Sequence, residues 1–83
     1  MIETPARQTV GRLVDARGSF CPGPLMELIR VIRESPIGEL ITVRSSDRGS
    51  RVDIPKWIEK AGHRLLSVEQ FEGYDDITVE KVH

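Results

Sequence analysis

Apolar residues recur along this chain with two distinct periods. Leu25, Leu28, Ile29 and Ile32 fall at i, i+3, i+4 and i+7, the spacing that lines one face of a helix, while Glu27, Arg30, Arg33 and Glu34 take the other faces. Ser35-Pro36 and Gly38 end this run, since a residue before proline is pushed out of helical angles. Ile54, Trp57, Ile58 and Ala61 repeat the spacing and predict a second helix, opened by a capping box of Ser50 and Asp53 and closed by Gly62. Pro55 lacks the N–H a helix interior uses, so a bend is expected there.

The other period is two. Glu39 to Ser45 alternates, with Ile41 and Val43 on one face and Thr42 and Arg44 on the other. Val10 to Asp15 reads as a short strand around Leu13 and Val14. Leu65–Phe71 and Tyr74–Val82 are separated by Glu72-Gly73 and predict a hairpin with Ile77 and Val79 facing inward. The order is β-α-β-α-β-β, without repeat, linker or low-complexity tract. It implies an α+β fold, a two-layer sandwich with a four-stranded mixed sheet and both helices on one face. Residues 1–9 show no periodicity and read as a flexible lead-in, so 10–83 is expected to be a single domain.

Composition narrows the function. The chain has 83 residues, 39% of them hydrophobic, enough for one domain with a thin core. Its 12 Lys and Arg against 13 Asp and Glu give a net charge of -1, so no global basic field draws it to nucleic acid or acidic membranes. Direct nucleic-acid binding is not expected on that ground. Arg44, Arg48 and Arg51 form a local basic cluster, read as a solvated loop neutralised by Asp47 and Asp53. No stretch approaches a membrane span, and the early Glu3 without a following apolar run does not fit a signal peptide. The cytoplasm is the expected location.

One cysteine excludes an internal disulfide, a CxxC redox pair and a four-cysteine zinc site. Cys21 precedes the first helix. Taken as the N-cap, it places Pro22 and Pro24 at the first and third helical positions, where a missing N–H costs little. The positive end of the helix dipole there favours thiolate over thiol. Position alone leaves two readings open, a reactive thiol and a buried cysteine packing as a small hydrophobe. If the thiol is reactive, nothing else in the chain can resolve a covalent adduct, so the adduct must pass to another molecule.

Cys21-Pro22-Gly23-Pro24 resembles the CPxP motif of the TusA-like (SirA-like) sulfur carrier family. Asp15-Ala16-Arg17-Gly18, Ser46-Asp47, Gly49-Ser50, Asp53-Ile54-Pro55-Lys56-Trp57 and Gly62-His63 extend the similarity from about Leu13 to the end of the chain. The resemblance implies the two-layer β-α-β-α-β-β fold and a persulfide carrier. Cys21 would accept sulfane sulfur from a cysteine desulfurase or rhodanese-like donor and hand it to an acceptor protein's reactive cysteine. The pathway served would be tRNA thiolation, molybdenum-cofactor supply or sulfur metabolism. Pro22, Gly23 and Pro24 would shape the site, and no cofactor or metal is implied. Gly23 stands where the family usually has a larger, often acidic residue, and Arg48 where a proline is common; both departures leave the specific pathway open.

Arg17, close to Cys21 in sequence, would stabilise a thiolate or face solvent. His63 follows Gly62, where an imidazolium would suit the helix C-terminus, and terminal His83 is expected to be mobile. The histidines and Cys21 lack metal-ligand spacing. Asp75 and Asp76 read as solubilising residues at a strand start. Two other function classes remain, an RNA-associated or regulatory module using the arginine cluster and a thiol redox sensor.

Overall fold

The computed structural model describes residues 11–20 and 22–83. The expected lead-in, the Val10 start of the first strand and Cys21 itself lie outside the described residues. The elements follow in the anticipated order: β1 (Arg12–Asp15), α1 (Gly23–Glu34), β2 (Leu40–Ser45), α2 (Ser50–Ala61), β3 (Arg64–Phe71) and β4 (Tyr74–Glu80).

The sheet runs β1-β2-β4-β3, with β1 and β2 parallel and the other two pairs antiparallel. Alternation sorts its faces. Val14, Ile41, Val43, Ile77 and Val79 point to one side and join Leu28, Val31 and Ile32 of α1 and Ile54 and Ile58 of α2 in one core. Both helices therefore cover the same face. Leu28, Ile41, Ile54, Ile58 and Ile77 are fully buried, each contributing about 1.5–3 kcal/mol of transfer free energy. Leu25 and Trp57 pack at the margin of this core. Leu13, Thr42, Arg44, Asp76 and Thr78 line the face the helices leave open, as their register requires.

Gly11 enters β1 at φ +67, against the Leu40 backbone, and a Cβ there would overlap the Leu40 carbonyl. Only glycine fits. At the end of α1, the Ser35 hydroxyl donates to the Val31 carbonyl at 2.7 Å and Lys81 Nζ donates to the Ser35 carbonyl at 2.6 Å.

The opening of α2 departs from the expected capping box. Gly49 is the N-cap and already helical at φ -62, ψ -31, so Ser50 is the first helical residue. The Ser50 hydroxyl reaches back to Asp47 Oδ2 at 3.4 Å rather than forward to the helix amides. The helix runs unbroken through Pro55 to Gly62, whose φ of +83 lets the His63 N–H bond the Ile58 carbonyl at 3.1 Å.

His63 differs from expectation too. Its Nδ1 accepts a 3.2 Å hydrogen bond from the Val82 N–H, and its ring stacks on His83 with centroids 4.6 Å apart. Burial, then the charges of His83 and Lys81, pushes its pKa below the ordinary 6.5. The ring is held as neutral imidazole, not as imidazolium. His83 is tied down rather than free, with Nε2 donating to the Ala61 carbonyl at 2.7 Å. Among the described residues, no helix is long and apolar enough to cross a membrane and no three His, Cys, Asp or Glu gather as metal ligands.

Candidate functional site

Because β1 and β2 are parallel, their C-terminal ends, Asp15 and Ser45, lie at the same end of the sheet. Each strand feeds a helix that packs back on the sheet, so α1 and α2 also begin there. The hairpin turn joins them, with Asp75 opposite Ser45 and Phe71 opposite Tyr74.

The segment leading to Cys21 is pinned at several points. The Ala16 N–H continues the β1–β2 ladder to the Arg44 carbonyl at 2.8 Å, and the Ser19 N–H returns to the Ala16 carbonyl at 3.2 Å. The Gly18 N–H donates to Ser46 Oγ at 2.9 Å, joining this loop to the one before α2. Beyond the cysteine, the Gly23 N–H donates back to the Phe20 carbonyl at 2.7 Å, and the Met26 N–H to the Pro22 carbonyl at 2.8 Å. These bonds set both neighbours of position 21.

They also move the helix start by one residue. Pro22, at φ -91 and ψ 14, is the N-cap, and Gly23 and Pro24 are the first two helical residues. Cys21 therefore precedes the cap instead of forming it. Pro24 is fully buried and offers no N–H, and the Gly23 N–H is spent on Phe20, so the Leu25 N–H is the remaining donor of that turn. Gly23 has a steric role: a Cβ there would lie 3.3 Å from Ser19 Cβ, a tight approach.

Arg17 is engaged by Asp15. Its Nε and Nη2 donate to the two carboxylate oxygens at 2.9 and 2.7 Å, and its backbone N–H adds a longer bond to Oδ1 at 3.3 Å. The side-chain bonds first, then the backbone bond, lower the Asp15 pKa from 3.8 to about 2. The pair is locally neutral. The Arg17 guanidinium lies 5.5 Å from the centroid of the Tyr74 ring and that of Arg44 lies 4.8 Å from it, while Phe71 stacks on the same ring at 5.0 Å.

This aromatic centre was missed by sequence reasoning. The signal was present, since a two-residue hairpin turn sets Phe71 against Tyr74. The basic cluster is neutralised by other acids than expected. Asp76 holds Arg44 at 3.0 and 3.1 Å, and Asp75 holds Arg51 at 3.1 and 3.4 Å. At 4% and 8% exposure, Asp75 and Asp76 are buried ion-pair partners, not solubilising residues. Two of the three arginines are thereby engaged in ion pairs with buried acids.

The residues on either side of Cys21 are exposed. Phe20 and Met26 are 77% and 59% exposed, and Pro22 is exposed. Two clefts lie away from this end of the chain's first helix: about 410 Å³ between α2 and β3 at Ile58 and Leu65, and about 440 Å³ around Gly11, Leu40 and Glu80 at the opposite end of the sheet. A smaller polar hollow of about 200 Å³ beside the site is lined by Arg48, Arg51 and Tyr74.

Comparison with known proteins agrees with this fold. Residues 12–81 match the family described as sulfurtransferase TusA. A sulfur carrier protein TusA of Pseudomonas syringae pv. syringae is 40% identical over 73 residues, covering 88% of this chain and 87% of the relative. An Archaeoglobus fulgidus protein, provisionally named a sulfur carrier, is 51% identical over 70 residues, covering 84% of this chain and 96% of its own. The crystal structure of a SirA-like protein from Desulfitobacterium hafniense superposes with a TM-score of 0.76 at 25% identity, covering 87% of this chain and 99% of that one.

Proposed function

The chain belongs to the TusA sulfurtransferase family, and from that premise we propose that Cys21 carries sulfane sulfur as a persulfide between two partner proteins. In the loading step the Cys21 thiolate attacks the outer sulfur of a donor persulfide. A bond forms between Cys21 Sγ and that sulfur, the donor S–S bond breaks, and the donor cysteine leaves as thiolate. In the unloading step an acceptor thiolate attacks the same outer sulfur and Cys21 is the leaving group. Neither step needs an external oxidant or reductant. The donor would be a cysteine desulfurase or a rhodanese-like protein, and the acceptor's identity selects tRNA thiolation, molybdenum-cofactor supply or sulfur metabolism. A cytoplasmic setting, where the thiol stays reduced, belongs to the same proposal.

One observation carries the reading most. The chain's only cysteine directly precedes the cap of α1, at the end of the sheet where both helices begin, between exposed neighbours. The helix dipole there favours the anionic forms of thiol and persulfide. The commitment of Arg44 and Arg51 to buried aspartates weighs against an RNA-binding reading. Incubation with a cysteine desulfurase and free cysteine is expected to add the mass of one sulfur atom, reversibly with reductant and not in Cys21→Ser. Failure to load from both a desulfurase and a rhodanese-like donor would refute the proposal.

A further inference from the structure

The two edges of the sheet are unlike. β1 has four residues, whereas β3, at the other edge, has eight. Long edge strands are usually blunted by charge or proline. Arg64–Phe71 has no proline and two charged residues, Arg64 and Glu69. Its apolar side chains are poorly covered, with Leu65, Leu66 and Val68 at 41%, 44% and 37% exposure. Leu65 and Val68 pair with Val79 and Ile77 and so face the helix side, while Arg64 and Glu69 pair with Glu80 and Asp76 on the open side.

Charge leaves this edge incomplete. Across the open face, Asp15, Arg44, Asp76 and Glu69 form one row of cross-strand neighbours. Asp76 is already taken by Arg44, so the row ends at the edge in two adjacent acids. A cation beyond Glu69 would restore the alternation that stabilises cross-strand pairs.

We infer that β3 pairs antiparallel with β3 of a second copy of this chain, about a two-fold axis between Leu66 and Ser67, joining two four-stranded sheets into one of eight strands. In that register Arg64 stands opposite Glu69 of the second copy, and Leu65 opposite Val68, each contact occurring twice by symmetry. Both pairs match in face as well as in chemistry. A slip of one residue sets Arg64 against Val68 or Gln70, on the wrong face in either case. The bulge between Leu65 and Ser67 falls on the axis, so pairing runs through the residues on either side of it. A strand edge buries less than the roughly 800 Å² per partner of a stable interface, so the association is weak and reversible.

Sedimentation equilibrium of the full chain under reductant, up to millimolar concentration, tests this. The expected result is a concentration-dependent monomer–dimer equilibrium. Arg64→Glu and Glu69→Arg should each raise the dissociation constant about tenfold or more, because two opposite-charge pairs become two like-charge pairs. An equimolar mixture of the two variants should regain near-wild-type affinity as a heterodimer. Should either variant fail to fold, amide chemical shifts of the wild type must move with concentration at Leu65 and Val68. A chain that stays monomeric throughout, or dimerises without regard to both substitutions, would overturn the inference.

Discussion

The Gly18 N–H and Ser46 Oγ, 28 positions apart in the chain, meet at 2.9 Å and join the loop that leads to Cys21 to the loop that leads into α2. Ser46→Ala removes the acceptor. The contact is exposed, so global stability should fall by no more than about 1 kcal/mol. Local order should respond more: Gly18 amide exchange should accelerate, and sulfur loading of Cys21 should slow. Unchanged exchange at Gly18 would show that the Ala16 ladder bond alone holds the loop.

Ser19 leaves little room for a side chain at Gly23. Gly23→Ala places a methyl group 3.3 Å from Ser19 Cβ and should cost about 1 kcal/mol in urea unfolding. Ser19→Gly in the same chain should recover most of that loss. The absence of such rescue would mean that the cost arises from the backbone at the helix start and not from Ser19.

Asp15 is expected to titrate at about 2, because Arg17 binds its ionised form. In Arg17→Ala the carboxyl should return toward 3.8, as followed by carboxyl-carbon NMR. The linkage has a definite sign. The folded pKa is depressed, so the pair's contribution is present above 3.8 and is lost as pH falls toward 2.

His63 adds a second pH dependence. Its folded pKa lies below 6.5, so the unfolded chain binds the proton more tightly and stability rises with pH across the window beneath that value. Protonation at Nδ1 also removes the acceptor for the Val82 N–H. Urea midpoints should therefore climb as pH increases through that window, and the slope should shrink in His63→Gln. An equal slope in the variant would assign the effect to other groups.

What was legible in the sequence was what periodicity and turn chemistry decide. The two apolar stripes, the alternation of Ile41 and Val43, the short run at Leu13 and Val14, and the Glu72-Gly73 turn yield all six elements and the helix-covered face. Local rules failed where a competing turn contact or a long-range partner intervenes. The start of α1 shifts because Gly23 bonds back to Phe20, and Ser50 turns to Asp47 because Gly49 is already helical. Asp75 and Asp76 look like surface acids until the fold brings Arg51 and Arg44 across from other elements. His63 looks like a helix-end cation until the chain returns with Val82 and His83. The chemistry proposed for Cys21 rests on its solitude and its motif in the sequence, while the Tyr74 centre depended on pairing across the hairpin.

The most direct test follows one labelled sulfur. The chain is loaded from a desulfurase supplied with isotopically labelled cysteine, its thiols and persulfides are alkylated, and the peptide carrying Cys21 is sequenced by tandem mass spectrometry before and after addition of an acceptor protein. The account predicts one labelled sulfur on Cys21 before the acceptor is added, and its loss from Cys21 with matching gain on an acceptor cysteine afterwards. Label that never reaches Cys21, or that reaches the acceptor equally well with Cys21→Ser, would contradict it.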